Sequence, residues 1–427
     1  MRMKFNKSSQ LLMVSAASLL AASLVTACGT LTTDFVYVTS SKSAGPNNYG
    51  EIDVFEINSQ SGFMRQIPTS PFPSGGRNPV AEAVSSDQFN LYVVNQDDNS
   101  IVQFAIGNDG KVYPQNTSNT PGIYPLAVAV SGTSLYVVDT FQPLPICSNA
   151  APCSGSIGVL PITIGSGSPP SDTLGPPLAN GSLTYWPLCQ YGYVSATNFT
   201  QCATGATSDV VTPTAVNVTP SGAYVYVTAY DSTVTPHVGY VFAFASGAGG
   251  LTPLNGGVPF PAGSQPSAIA SDSTSSYIYV TDFNRGNLLG FSIASGPLTP
   301  LAGSPFPAGD QPSAVVADPT YPFVYVANSL DNTVSAYSIS SGALTSLGSY
   351  ATGTQPVAIG IDPSTSHFLY TANFLGSGIN GTISGFELDP TAGTLVNSEN
   401  SPYNANAQPT AVAAIPHGVT KSSSSSQ

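Results

Sequence analysis

The side chains that could carry chemistry in this chain are few, and they stand in loops or in otherwise apolar segments. The candidates for catalysis are Arg77, Glu82, His237 and Arg285. Glu82 lies inside the apolar stretch "PVAEAV", where an unpaired carboxylate is costly, so it must be ion-paired, hydrogen-bonded or protonated. Arg77 is close enough in sequence to pair with it. Such a pair is either a buried structural bridge or a catalytic or binding couple.

A carboxylate or an imidazole beside a guanidinium suits hydrolysis of an ester or a lactone. Glu82 or His237 would activate water, and Arg77 or Arg285 would stabilise the developing oxyanion. His237 is also explained as a solvated loop residue. No phosphate-binding glycine loop, His-Glu-x-x-His helix, Gly-x-Ser-x-Gly elbow or EF-hand is present. The sequence therefore predicts no cofactor and no metal site.

A repeated segment supplies the elements that position these residues. One copy is "QPSAVVADPTYPFVYVANSLDNTVSAYSISSGALTSL", and copies start at Gln265, Gln311, Gln355 and Gln408. The period of roughly 45 to 50 residues is that of a four-stranded propeller blade. Each copy contains an x-Pro, a short apolar strand, a polar turn and an aromatic β-branched strand, which are strand and turn signals. The same x-Pro recurs at Asn78, Tyr124 and Thr212.

These repeats predict an all-β fold, a seven-bladed β-propeller of four-stranded blades that spans residues 32–416 as one domain. The N-terminal blade lacks its first strand, and the chain ends with a lone first strand, "QPTAVAAIP". We therefore expect the C-terminal strand to join the N-terminal blade and close the ring, which leaves no long exposed sheet edge. Tyrosines at one position of the second strands are expected to pack between blades.

The propeller geometry predicts which face carries function, because the inter-blade loops and the loops between second and third strands share one face. The ends of the second strands would then form a polar ring around the channel mouth. The ligand-binding candidates are Asn95, Asp139, Asn217, Asp282, Asn328 and Asn373, where Asn217 replaces the Ala270 of its repeat. Asn and Asp at strand ends are also explained by hydrogen bonds to the backbone.

The N-terminal segment and the charge balance indicate export. Residues 1–28 are predicted to be a lipoprotein signal peptide, because a basic start and an apolar run end in Val25-Thr26-Ala27-Cys28, which resembles a bacterial lipobox with Cys28 as the lipidated residue. The alternative is an ordinary signal peptide with an incidental Cys. Gly29 follows Cys28 where Gram-negative bacteria use Asp as a signal for retention, so the sequence favours anchoring in the outer membrane. The net charge of −13 makes nucleic acid an unfavourable binding partner, because its phosphates are also negative.

The remaining four cysteines all lie in the third blade, predicted at residues 124–211. Sequence proximity favours the pairs Cys147–Cys153 and Cys189–Cys202, although four cysteines permit three pairings. In an exported chain these cysteines indicate disulfides within insertions. The spacings do not fit a zinc site. The Ser-rich tail at residues 417–427 is predicted to be disordered, and the protein to be a monomer.

The repeats "LYVVN", "IYVTD", "VYVAN" and "LYTAN", each preceded by x-Pro and a polar turn, resemble those of the seven-bladed lactonase-like propellers and the related YVTN surface-protein repeats. The resemblance implies the propeller fold over nearly all of residues 32–416. The family includes proteins similar to 6-phosphogluconolactonase, which hydrolyse a sugar lactone. Enzymatic members use His and Arg near the inner strands, whereas this chain has no His in any first strand.

Three functional hypotheses follow from the sequence. The first is a cell-envelope lipoprotein that is held at the membrane through Cys28 and binds a neutral glycan, a peptide or a partner protein on its loop-rich face. The second is a lactonase-like hydrolase that acts on an uncharged lactone. The third is a structural component of a surface layer.

Overall fold

Seven antiparallel sheets, each of four or five strands, make up the computed structural model of the protein. The structure describes residues 33–41, 49–59, 61–148, 150–166, 172–192, 202, 209–293, 296–363, 367–376 and 380–416. The innermost strands of successive sheets contact one another in a closed circle. The predicted all-β, seven-bladed propeller is therefore confirmed. The leader, Cys28 and residues 417–427 lie outside the described residues. No helix among the described residues is long and apolar enough to cross a membrane.

The strands of the first four blades follow one another along the chain. Blade 1 contains β1 (Thr33–Ser41), β2 (Tyr49–Asn58), β3 (Met64–Gln66) and β4 (Phe72–Arg77). Blade 2 contains β5 (Pro79–Val84), β6 (Asn90–Asn95), β7 (Ser100–Ile106) and β8 (Val112–Asn119). Blade 3 contains β9 (Ile123–Ser131), β10 (Ser134–Phe141), β11 (Ser156–Thr163), β12 (Thr173–Leu174) and β13 (Trp186–Pro187). Blade 4 contains β14 (Val211–Val218), β15 (Tyr224–Asp231), β16 (Val238–Gly247), β17 (Gly250–Pro253), a 3-10 turn (Asn255–Gly257) and β18 (Phe260–Pro261).

The last three blades repeat this order, and a single strand follows them. Blade 5 contains β19 (Pro266–Ser271), β20 (Tyr277–Asp282), β21 (Asn287–Ile293), β22 (Leu298–Pro300) and β23 (Phe306–Pro307). Blade 6 contains β24 (Pro312–Ala317), β25 (Phe323–Asn328), β26 (Thr333–Ser340) and β27 (Ala343–Ala351). Blade 7 contains β28 (Thr354–Ile361), β29 (Phe368–Leu375), β30 (Thr382–Leu388), β31 (Leu395–Asn397) and β32 (Tyr403–Asn404). The final strand is β33 (Gln408–Ile415).

The ring closes through β33, which pairs antiparallel with β1 from Phe35↔Ile415 to Ser41↔Gln408. This strand becomes the innermost strand of blade 1, as the sequence predicts. Hydroxyl groups also join neighbouring inner strands around the axis. Ser267 donates to the Pro312 carbonyl at 2.5 Å, Ser313 to that of Pro356 at 2.6 Å, and Thr410 to that of Pro79 at 2.8 Å.

Tyrosines of the second strands tie blades 1, 4, 5 and 6 to the blade that follows. Tyr279 is fully buried and donates its hydroxyl to the Gly342 carbonyl of the following blade at 2.9 Å. Tyr37, Tyr226 and Tyr325 make the same contact with Gly110, Gly296 and Gly393. These glycines have φ between 69° and 102°, a conformation that a side chain disfavours. The regular tyrosines are scaffold, in agreement with the packing role expected from the sequence.

Candidate functional site

One face of the propeller carries both kinds of loop that the sequence analysis assigns to it. The carbonyl of Gln265, in an inter-blade loop, accepts the N–H of Phe283 from the loop between β20 and β21 at 2.9 Å. Gln311 and Ser329 repeat this bond at 2.9 Å in the next blade. We call this side the loop-rich face. The hydrogen bonds hold the two sets of loops together around the mouth of the channel.

Seven uncharged residues surround this mouth, one at the start of each inner strand. Each residue directly precedes the proline at or near the start of the strand, and each is half-buried. We call them the mouth ring: Asn78, Tyr124, Thr212, Gln265, Gln311, Gln355 and Gln408. Because amides and hydroxyls both donate and accept, the ring can hydrogen-bond a neutral polar ligand.

The ends of the second strands occupy a different place from the one predicted. Asn95, Asp139, Asp282, Asn328 and Asn373 are each 0% exposed, so they do not form an accessible polar ring. Each pairs directly with the proline after a mouth-ring residue, for example Pro312↔Asn328. The prediction of a ring open to the channel mouth is therefore wrong for these five residues. The inter-blade loop that precedes the proline covers each side chain.

Their hydrogen bonds show what these buried side chains do. Asp282 accepts the backbone N–H groups of Ser264 at 2.8 Å and Gln265 at 3.0 Å. Asn328 accepts the N–H of Gly309 at 3.1 Å and donates to Thr333 and Ser335. These bonds hold the inter-blade loop against its own blade. They explain why a polar residue stands at this position without invoking a ligand.

Asp139 departs from this pattern. Its Oδ2 accepts the N–H of Gly122 at 3.0 Å, but its Oδ1 is buried and has no partner among the described residues. Burial raises the pKa of this carboxyl to about 7, against the opposing effects of Thr120 and Gly122.

Asn217, on β14, is half-buried and pairs with Tyr226 just as Ala270 pairs with Tyr279. Its buried Oδ1 also has no partner in the described structure.

Glu82 and Arg77 do not pair, contrary to the prediction. Arg77 binds Asp98 through Nε at 2.7 Å and through a terminal nitrogen at 2.5 Å, and its side chain is 41% exposed. The backbone N–H of Arg77 also donates to Asp98. The register explains the separation, because Arg77 ends β4 beside the β6–β7 turn whereas Glu82 lies well inside β5.

Glu82 instead turns toward blade 1. Its Oε2 accepts a hydrogen bond from the hydroxyl of Thr39, and its Oε1 is buried without a partner among the described residues. Although the residue as a whole is only half-buried, its carboxylate is enclosed. Burial raises the pKa of Glu82 to about 8, and hydrogen bonds from Thr39 and from the backbone of Ala413 oppose the rise. The group holds its proton at neutral pH.

The structure brings His237 and Arg285 to one junction, between blades 4 and 5. The Ser264 hydroxyl donates a hydrogen bond to the His237 carbonyl at 3.2 Å, and the Ser264 backbone N–H donates one to Asp282. The carboxylate of Asp282 in turn lies 3.8 Å from Arg285 Nε. His237 Nδ1 lies 2.8 Å from the Val234 carbonyl and must donate to it, so Nε2 keeps its lone pair in the neutral ring. The imidazole ring of His237 packs against the ring of Tyr230, with 4.9 Å between the ring centroids.

Both cysteine pairs are disulfide-bonded as proximity predicts, Cys147 with Cys153 and Cys189 with Cys202. The first loop borders the mouth, because its two cysteines pack with Phe141 against Tyr124. The two insertions also contact each other, since Gln142 donates its amide to the Cys202 carbonyl at 2.6 Å. Sequence reasoning missed Tyr124, although its place before Pro125 identifies it as the aromatic member of the mouth ring.

Exposed apolar side chains concentrate on the loop-rich face. Of the ten large apolar side chains exposed in the described part of the chain, seven lie there: Tyr49, Ile146, Tyr191, Val234, Val238, Leu330 and Leu375. They stand in the loops or at the strand ends of blades 1, 3, 4, 6 and 7, so the face that holds the mouth ring exposes more large apolar side chains than the opposite face.

Comparison with known proteins agrees with this architecture. Residues 297–413 match the family described as "Lactonase, 7-bladed beta-propeller". No curated protein sequence is similar enough to the chain to count as a match.

Two solved structures show the same fold along almost their whole length. A Bacteroides fragilis protein described as a candidate 6-phosphogluconolactonase is 20% identical over 90% of this chain and 98% of its own, with a TM-score of 0.65. The periplasmic gluconolactonase PpgL of Pseudomonas aeruginosa is 17% identical over 89% of this chain and 98% of its own, with a TM-score of 0.62. The chain thus has the fold of the lactonase-like seven-bladed propellers, and its residues 297–413 carry the sequence pattern of that family.

Proposed function

We propose that the protein is a cell-envelope lipoprotein that binds a neutral ligand, such as a glycan, at the mouth of its loop-rich face. The observation that carries this proposal is the mouth ring, whose seven members are all uncharged and only half-buried. A peptide or a partner protein could use the same amides, and the exposed apolar side chains beside them would widen the contact.

The charges around the mouth favour a neutral ligand over an anionic one. Asp97, Asp310 and Asp331 are exposed in loops of this face. Arg77 is already bound to Asp98, and Arg285 lies near Asp282. A phosphorylated sugar would therefore meet net repulsion where it needs cations.

Topology supports an anchor on the far side of the molecule. β1 runs toward the loop-rich face, since its last residue, Ser41, pairs with Gln408 of the mouth ring. Its first residue, Thr33, therefore lies at the opposite face, and Cys28 is only five residues before it. A segment of that length reaches at most about 18 Å. A lipidated Cys28 would hold the opposite face at the membrane and leave the mouth free.

The anchor can be tested by growing cells that express the full chain with radiolabelled palmitate. We expect the wild type to carry label and to sediment with membranes, and Cys28→Ser to lose both properties, because the thiol is the acceptor of the lipid. Label or membrane attachment that persists in Cys28→Ser would contradict the lipoprotein assignment.

Ligand binding can be tested by calorimetry on the full-length protein in detergent, with cellotriose as a neutral saccharide and glucose 6-phosphate as an anionic one. We expect cellotriose to bind more tightly than the phosphate ester. Replacing one mouth amide by Gln311→Leu should weaken binding about tenfold, because the ligand hydroxyls lose a buried partner. Gln115→Leu, at an exposed position on β8, is the matched control. Tighter binding of glucose 6-phosphate would contradict the proposal.

A lactonase-like hydrolase is the second candidate, favoured by the position of His237 and Arg285 at the same inter-blade junction of the loop-rich face. His237 Nε2 would activate water, and Arg285 would stabilise the oxyanion. The same protein samples decide between the two functions. Ring opening of gluconolactone by the wild type, lost in His237→Ala, would favour the hydrolase, whereas saccharide binding without turnover would favour the binding protein.

A further inference from the structure

We propose that Tyr124 forms an aromatic subsite at the blade 3 corner of the mouth, on which the ring of a neutral pyranose ligand stacks. This inference rests on the proposed function. It deepens that function by naming the residue that would recognise the apolar C–H face of the sugar, whereas the amides of the mouth ring would recognise its hydroxyl groups.

Tyr124 is the one aromatic residue of the mouth ring. Gln265, Gln311, Gln355 and Gln408 hold the corresponding place in four blades. Tyr124 shares a left-handed backbone with two of these glutamines, with φ of 55° against 52° for Gln311 and 58° for Gln355. The scaffold therefore accepts glutamine here, and the aromatic ring is an addition to what the fold requires.

The tyrosine is fixed from several sides. Its backbone N–H donates to Asn99 Oδ1 at 2.6 Å, and its carbonyl accepts the Thr140 hydroxyl at 2.7 Å. Its ring meets Phe141 edge-on with centroids 6.0 Å apart. Behind the ring, the Cys147–Cys153 loop packs into the same apolar cluster. An aromatic ring held in this way loses little conformational freedom when it binds a ligand.

The chemistry of a pyranose fits this arrangement. One face of the sugar ring presents C–H groups, which an aromatic ring contacts favourably, and the rim presents hydroxyls that need donors and acceptors. Tyr124 remains half-exposed although the loop packs against it, and the amides stand on the same ring of residues. Because the subsite contains no charge of its own, it adds affinity for neutral sugars without favouring phosphorylated ones.

The test measures cellotriose binding by calorimetry in the full-length protein with Tyr124→Gln and Tyr124→Phe. We expect Tyr124→Gln to raise the Kd about tenfold, as the loss of one stacking contact does, while Tyr124→Phe stays close to the wild type. Tyr113→Gln, which removes an exposed tyrosine from β8, is the control and should leave the Kd unchanged. The double variant Cys147→Ser/Cys153→Ser should weaken binding by less than Tyr124→Gln, because it only loosens the support of the ring.

The outcomes separate this inference from the function on which it rests. An unchanged Kd in Tyr124→Gln, together with weaker binding in Gln311→Leu, overturns the aromatic subsite and leaves the mouth as the binding site. Absence of cellotriose binding in the wild type overturns both. A circular dichroism melt reports any loss of structure directly, and glutamine already stands with the same left-handed backbone at this position in blades 6 and 7.

Discussion

Glu82→Gln is expected to stabilise the protein strongly at alkaline pH. Burial raises the pKa of Glu82 to about 8, from an ordinary value of 4.5. Well below pH 4.5 both the folded and the unfolded chain hold the proton, so ionisation of Glu82 costs no stability there. Between pH 4.5 and 8 only the unfolded chain ionises, and the free energy of unfolding falls by about 1.4 kcal/mol per pH unit. Above pH 8 the loss levels off at about 5 kcal/mol, an upper limit.

Urea unfolding at pH 4, 6 and 9 measures this effect. The gain from Glu82→Gln should be close to zero at pH 4 and reach about 3 to 5 kcal/mol at pH 9. Glu387→Gln, on the exposed side of β30, is the matched control and should show no such trend. Glu82→Val should show a similar trend, because Val or Ile occupies this position in the other six blades. Thr39 could then donate to the inner strand, as Thr281 does to Ala268 at 3.2 Å. A gain that is the same at all three pH values would show that the carboxylate is not penalised by burial.

The fold could be predicted from the sequence because the same pattern of x-Pro, strands and turns recurs in the blades. Each x-Pro fixes the start of an inner strand, and the register in the structure places each of these prolines opposite the same second-strand position. Closure by β33 follows from counting the first strands of the repeats, since the N-terminal blade lacks one and a lone first strand is left at the end of the chain. The disulfide pairing follows from chain proximity, because each pair closes one short loop.

The site was harder to predict, because its details depend on which way a side chain points. Asn328 and its equivalents stand at strand ends, but the inter-blade loop folds over them and makes them 0% exposed. Arg77 is close to Glu82 in sequence, yet the nearest carboxylate in space belongs to Asp98 on a turn of the neighbouring hairpin. A repeat pattern shows which positions are equivalent. It does not show which of them remain open to solvent after the loops have packed.

Asp139 and Asp282 occupy the same position in two blades, and this equivalence gives the last prediction. Pro125↔Asp139 and Pro266↔Asp282 are matching pairs in blades 3 and 5. Both oxygens of Asp282 accept backbone N–H groups. Asp139 has only one such bond, and burial raises its pKa to about 7, from an ordinary 3.8. Stability is therefore lost as the pH rises from about 4 to 7, by up to about 4 kcal/mol.

The same substitution should act in opposite directions at these two positions. Asp139→Asn should raise the free energy of unfolding at pH 8 by about 2 to 4 kcal/mol and change it little at pH 4, because an amide does not ionise. The new amide could donate to the Ser156 hydroxyl, which is buried opposite it and has no partner among the described residues. Asp282→Asn should instead cost about 1 to 3 kcal/mol at pH 8, because an NH2 group would then face a backbone donor. Urea unfolding of both variants at pH 4 and 8 measures the difference. Equal effects at the two positions would show that the surrounding hydrogen bonds do not decide the cost of a buried carboxylate in this fold.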